Sequence, residues 1–178
     1  MFETNYEEKN NPLPEGDYEC IIKAAFINAT NSRTPTEYFS VRFVVRNDVP
    51  QKCQNKNIFH AIWRKKPEKQ TADDQKVDGF SYKQLMNLCE GTDVPKGKSF
   101  KDLTELGEYL KGRCCIVHIV HDEWQSKKQE KVAWTNKTKY PECKHFFAVS
   151  GNVNANTDTT ATKMMDVTDY EDEDLPFD

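Results

Sequence analysis

From Asp17 onward the chain alternates. Tyr18, Cys20 and Ile22 hold one phase, Glu19 and Lys23 hold the other, and the phase blurs after Ala24-Ala25. A period of two marks a strand with one buried face, and a blurred phase is what a long strand gives when it bends or bulges midway. Asn31-Ser32-Arg33-Thr34-Pro35 supplies turn chemistry. A second strand is predicted from Glu37 to Asn47, with Phe39, Val41, Phe43 and Val45 on one face and Tyr38, Ser40, Arg42, Val44 and Arg46 on the other. A third runs from Asn57 to Trp63 and stops at Arg64-Lys65-Lys66-Pro67, after which the charged stretch 67–78 reads as loop. The period then lengthens. Leu85, Leu88 and Cys89 fall at helical spacing between Ser81, a predicted N-cap, and Gly91, a predicted stop. Leu103, Leu106 and Leu110 mark a second, shorter helix. Cys114–His121 is a nearly continuous β-branched run and Lys131–Asn136 a fifth strand, joined through a polar hairpin from Glu123 to Glu130.

Three strands, a helical piece and two more strands is the order of the oligonucleotide-binding (OB) fold, a small Greek-key barrel that binds single strands and sugars on one face. The predicted fold is therefore mainly β: a five-stranded OB-like barrel over residues 13–150, with a helical insertion between strands 3 and 4. Another five-stranded β fold with the same order is the alternative. Residues 1–12 read as a polar arm, 151–165 as a flexible linker of small polar residues, and 166–178 as a disordered acidic tail.

Composition sharpens this division. Leu, Ile, Val and Phe make up about a fifth of the chain, near the level at which part of a protein stays unfolded, and the polar excess lies at the two ends. The formal charge of -4 combines a mildly basic body with a tail whose seven acids, from Asp166 to Asp178, meet no Lys or Arg. Such asymmetry points to nucleic acid or a protein partner. The six cysteines are irregularly spaced and read as reduced thiols. With no apolar run of membrane length and no basic, apolar leader at Met1, a soluble cytoplasmic protein is expected.

Basic residues interleave with aromatics along the predicted strands. Tyr38, Arg42 and Arg46 lie on the second, Trp63 with Arg64, Lys65 and Lys66 at the end of the third, Trp124 with Lys127 and Lys128 in the hairpin, and Lys131, Trp134, Lys137 and Lys139 on and after the fifth. Cations that follow phosphates and flat side chains that stack on bases are what single-stranded nucleic acid requires. The competing reading makes the tryptophans core or rim residues and the lysines ordinary solvated surface.

The tail places an apolar hook after its acids: Asp172, Glu173 and Asp174, then Leu175, Pro176 and Phe177. Here the chain resembles the bacterial and phage single-stranded-DNA-binding proteins, whose acidic tips commonly read as several acids followed by Leu-Pro-Phe or Ile-Pro-Phe. In the bacterial proteins Phe is final, whereas here Asp178 follows it. The Leu13-Pro14-Glu15-Gly16-Asp17-Tyr18-Glu19 opening and the strand-rich body also look like small phage-encoded proteins of this kind. The resemblance implies a protein that coats single-stranded DNA during phage replication or recombination in the host cytoplasm. It also implies recruitment of replication and recombination proteins through Asp172–Phe177, with homo-oligomers possible. An annealing or recombination-mediator protein is the nearest alternative.

Other chemistry is weaker. His118, His121, Cys143 and His145 are zinc-ligand types, but His118 and His121 at i and i+3 of a strand point to opposite faces, and no metal or cofactor is expected. There is no phosphate loop, nucleophile elbow or zinc-protease motif, so no catalysis is expected. Asp73, Asp74 and Asp78 are the carboxylates a metal-dependent nuclease would need, within a stretch that reads as soluble loop.

Overall fold

The computed structural model describes residues 3–4 and 12–147. The expected linker 151–165 and acidic tail 166–178, with Asp172, Glu173, Asp174, Leu175, Pro176 and Phe177, lie outside the described residues, as does most of the arm 1–12. The chain divides into two units, Met1–His145 and Phe146–Asp178, and the sheet and helices belong to the first.

Five strands form one antiparallel sheet: β1 (Gly16–Ala29), β2 (Glu37–Val45), β3 (Asn57–Trp63), β4 (Cys114–Trp124) and β5 (Lys127–Lys137). Their order across the sheet is β3-β2-β1-β4-β5. The edges β3 and β5 approach to Cα separations within 8 Å but share no ladder among the described residues, so the sheet is open where a closed barrel would join. Between β3 and β4 come a 3-10 turn (Pro67–Lys69) and helices α1 (Ala72–Lys76), α2 (Tyr82–Gly91) and α3 (Leu103–Leu110).

The alternation read from the sequence becomes a two-faced sheet. One face supplies the core: Tyr18, Cys20, Ile22 and Ala25 from β1, Phe39, Val41, Phe43 and Val45 from β2, Ile58 and Ile62 from β3, and Cys115, Val117 and Ile119 from β4. Leu85 and Leu88 of α2 and Leu103, Leu106 and Leu110 of α3 close over it. Full burial of each such side chain contributes roughly 1.5–3 kcal/mol. Ser81 caps α2 by accepting from the Gln84 amide, and Asp102 caps α3 by accepting from the Glu105 amide. α3 sits so close to β1 that a Cβ on Gly107 would lie 2.2 Å from the Ala25 carbonyl oxygen, which only glycine tolerates.

Two expectations are corrected. The stretch 67–78 is not all loop: Thr71 and Asp74 form a capping box, and the Asp74 carboxylate accepts from the Thr71 and Tyr82 amides and from Lys65 Nζ, all at 2.9 Å. α1 is thus nucleated by polar contacts with no apolar stripe to announce it. The hairpin predicted across Glu123–Glu130 contracts to Gln125-Ser126, both with positive φ, because the β4–β5 ladder continues to Trp124↔Lys127. No helix among the described residues is long and apolar enough to cross a membrane.

Candidate nucleic-acid interface

The opposite face of the sheet carries the candidate site. In β2 the residues out of phase with the core are Tyr38, Ser40, Arg42 and Val44; register pairs them with Trp63, Ala61, Phe59 and Asn57 of β3. On the other side they meet β1, whose phase changes at a bulge: Ile22 pairs with Phe43 and Ala24 with Arg42, skipping Lys23. Beyond that skip Ala24, Phe26 and Asn28 share the face of Arg42, Ser40 and Tyr38.

The result is a platform of four outward rings and one guanidinium, which lies between two of them. The Arg42 guanidinium carbon lies 5.2 Å from the Phe26 ring centroid and 5.7 Å from that of Phe59, inside the ~6 Å reach of cation–π attraction. Tyr38 and Trp63 pair at 4.8 Å with a 44° tilt. Phe59 is 61 % exposed and Trp63 45 %, a large apolar area for a sheet surface to leave in water. Flanking rings hold the guanidinium in place, so a phosphate arriving there meets an oriented donor, and a base meets a flat partner.

Trp134 lies on the same side of the sheet. Its phase also follows a bulge, since His118 pairs with Trp134 and Ile119 with Val132, skipping Ala133. The Trp134 indole stacks on the His118 imidazole, centroids 4.5 Å apart and planes 1° from parallel, while His118 Nδ1 meets Asp17 at 2.5 Å. Trp124, Lys127, Lys128 and Lys131 are exposed on the β4–β5 hairpin.

Arg46 does not belong to this surface, which corrects its assignment as a phosphate contact. It is fully buried. Nε and Nη2 donate to the two Asp48 oxygens at 2.9 and 2.7 Å, Nη1 donates to Thr138 Oγ1 and the Tyr140 carbonyl, and Nη2 to the Glu142 carbonyl. Glu19 Oε1 stands 3.7 Å away and accepts from Thr138 Oγ1, and Glu19 Oε2 accepts from the Lys139 amide. The Arg46 hydrogen bond holds the Asp48 carboxyl at about 2, against the opposing effect of burial, and the Lys144 amide adds to it. Alternation points Arg46 outward from β2, but the segment 138–145 returns over that end and seals it in.

Other cations are committed within the fold. Arg64 pairs with Glu37 and Asp78 and lies 4.7 Å over the Phe80 ring; Lys65 pairs with Asp74. Lys66 and Lys139 are exposed, and Lys137 is 3.4 Å from Asp93. The zinc-type residues are not brought together: His121 Nε2 contacts the Leu13 carbonyl, and His145 Nδ1 accepts from the Asn47 amide. Cys143 lies beside Cys114 instead, whose thiol burial pushes up to about 12, helped by their mutual hydrogen bond. Asp73, Asp74 and Asp78 are divided among Lys76, the α1 cap and Arg64.

Phe26 and Phe59 are the site residues that sequence reasoning missed. Phe59 was signalled by lying out of phase with Ile58 and Ile62; Phe26 was hidden by the bulge. A family model described as "Protein of unknown function (DUF669)" matches residues 1–159. No curated protein matches the chain.

Proposed function

The chain belongs to the DUF669 family, whose function is unknown, and from that premise we propose that it binds and coats single-stranded DNA. The observation that carries the reading is the outward cluster in which Arg42 lies between Phe26 and Phe59 beside the Tyr38–Trp63 pair. Stacking rings and an oriented cation on an open β surface are the elements of a single-strand platform. The order β3-β2-β1-β4-β5 supports a finer fold reading, an OB-like barrel opened between β3 and β5, whose strand 2–3 face is the one that meets oligonucleotides. Lys66, Lys127, Lys128 and Lys131 add phosphate neutralisation around the rings. Coating makes and breaks no covalent bond, so no residue is assigned a catalytic role. The acidic segment ending in Leu175-Pro176-Phe177 supports recruitment of replication or recombination proteins, as in the phage and bacterial proteins it resembles.

The test is a tryptophan-fluorescence titration with oligo-dT and with duplex of equal length. Single strands should bind more tightly, and neutralising about three phosphates gives a log–log salt slope of roughly -2. Phe59→Ala and Trp63→Ala should each weaken binding by about 1–3 kcal/mol. Phe59 is mostly exposed and Trp63 nearly half so, so stability should fall by no more than about 2 kcal/mol, of which the Tyr38–Trp63 pair accounts for about 0.5–1.5 kcal/mol. Equal affinity for duplex, or normal binding by both variants, overturns the reading.

A further inference from the structure

Ile27 pairs in register with Phe39 and so lies on the helix side of the sheet, away from the platform. There it helps line an apolar groove of about 390 Å³, within the roughly 300–1,000 Å³ usual for binding sites. Met86, Val94 and Phe100 line it too, and Ile27 and Met86 are each more than a third exposed. Two acids border the groove, and both are engaged: Asp78 with Arg64, and Asp102 with the α3 amide of Glu105. Lys76 is likewise held by Asp73. Lys98 and Lys101 differ, since among the described residues neither has a carboxylate partner within 4.0 Å. The Lys98 ammonium is held over the rings of Phe100 and Tyr109, at 5.5 and 5.0 Å. The groove therefore offers apolar walls and, beside Asp78 and Asp102, two lysines with no carboxylate partner within 4.0 Å among the described residues.

The chain carries one segment of matching chemistry, three consecutive acids followed by Leu175-Pro176-Phe177. We propose that this groove receives Asp172–Phe177 of a second copy of the chain, with Leu175 and Phe177 against Ile27, Met86 and Phe100 and the acids facing Lys98 and Lys101. The choice of a second copy rests on the strand-coating reading, in which copies are held side by side. Groove and platform lie on opposite faces of the sheet, so a bound strand leaves the groove open. Each copy gives one segment and accepts another, a heterologous contact that propagates along a row of copies.

The probe is a dye-labelled synthetic peptide of residues 168–178, followed by anisotropy without nucleic acid. It is titrated with the 178-residue chain carrying Phe177→Ala, so that its own segment does not compete. Saturable binding is expected. It should weaken at least tenfold with Met86→Glu, with the pair Lys98→Glu and Lys101→Glu, and with a peptide in which Leu175 and Phe177 are alanine. Unchanged binding by both groove variants, with native circular dichroism, overturns the proposal. Displacement of the peptide by oligo-dT also overturns it, because the segment would then occupy the strand-binding face. Sedimentation velocity tests the source: the wild-type chain should associate with rising concentration, and Met86→Glu or Phe177→Ala alone should reduce this. A wild-type chain that stays monomeric yet excludes the peptide assigns the segment to its own groove and overturns the second-copy claim. Apart from the oligo-dT displacement, none of these measurements contains DNA, so their failure is distinct from failure of strand binding.

Discussion

Replacing Arg46 by Met separates a buried clamp from a DNA contact. The side chain is fully buried, its two bonds to Asp48 are 2.9 and 2.7 Å long, and three further oxygens from the segment 138–145 converge on it. Met conserves much of the volume but leaves Glu19 and Asp48, both nearly buried, with no counter-charge. Removing one partner of a buried ion pair costs about 3–5 kcal/mol, a large part of the roughly 5–15 kcal/mol that holds a domain together. At about 2–4 °C per kcal/mol for a domain of this size, Tm should fall by roughly 6–20 °C. Hydrogen exchange supplies the local readout. The Lys139 and Lys144 amides, which donate to Glu19 and Asp48, should lose protection before the β1–β2 ladder does. The Asp48 carboxyl should titrate above its present value of about 2 once the guanidinium that lowers it is gone. Arg42→Met is the control: it should weaken strand binding while leaving Tm nearly unchanged. If Arg46→Met keeps its Tm within about 2 °C, a shift worth less than roughly 1 kcal/mol, and instead weakens strand binding, Arg46 is a surface cation and the burial reasoning is wrong.

Three other perturbations probe the frame. Gly107→Ala should destabilise by about 1–3 kcal/mol in urea melts, the overlap with the Ala25 carbonyl outweighing the ~1 kcal/mol gain in helix propensity; a stabilised variant would mean that α3 is not seated on β1. His60, on the core face of β3 opposite Val41, is pushed down to about 4 by burial. The unfolded chain therefore binds the extra proton first. Stability from this group is complete above about 6.5 and is lost as pH falls toward 4, by roughly 3 kcal/mol at 1.36 kcal/mol per pH unit; His60→Leu should flatten that window. At the hairpin, Gln125→Asn with Ser126→Gly should add about 0.5–1 kcal/mol, since both positions already hold the positive φ that Asn-Gly prefers; a drop in Tm would argue against the two-residue turn.

What could be read from the sequence was whatever a local period encodes. Phe39, Val41, Phe43 and Val45 announced β2, and Leu103, Leu106 and Leu110 announced α3, because burial on one face imposes spacing on neighbours in the chain. Arg46 obeyed the same alternation and was misread, because its burial depends on residues 138–145, more than ninety positions away. α1 was invisible for a different reason: its helix-defining contacts are the polar bonds of Asp74, a residue that in sequence looks like one more charge in a soluble loop. Tyr38, Arg42 and Trp63 were identified as candidates, but the rings that complete their cluster were not, since Phe26 faces outward only through cross-strand register. Whether the edges β3 and β5 join was likewise beyond local pattern, because closure is decided by the curvature of the whole sheet.

The skipped residue Lys23 acts on β1 as a frameshift acts on a message. Upstream, even-numbered residues face inward; downstream, odd-numbered ones do. A single insertion thus lets one continuous strand serve two readers, the core through Ala25 and the solvent through Phe26, and Ala133 performs the same service for Trp134 on β5. Substitution of an outward ring changes the platform without moving the core. Loss of Lys23 itself would only restore plain pairing, since Ile22 and Ala24 already face the adjacent Phe43 and Arg42. Deletion of Ala25, in contrast, cannot be absorbed. It would swing Phe26 toward the helix side, where the seat beneath Gly107 is too tight even for one added methyl group.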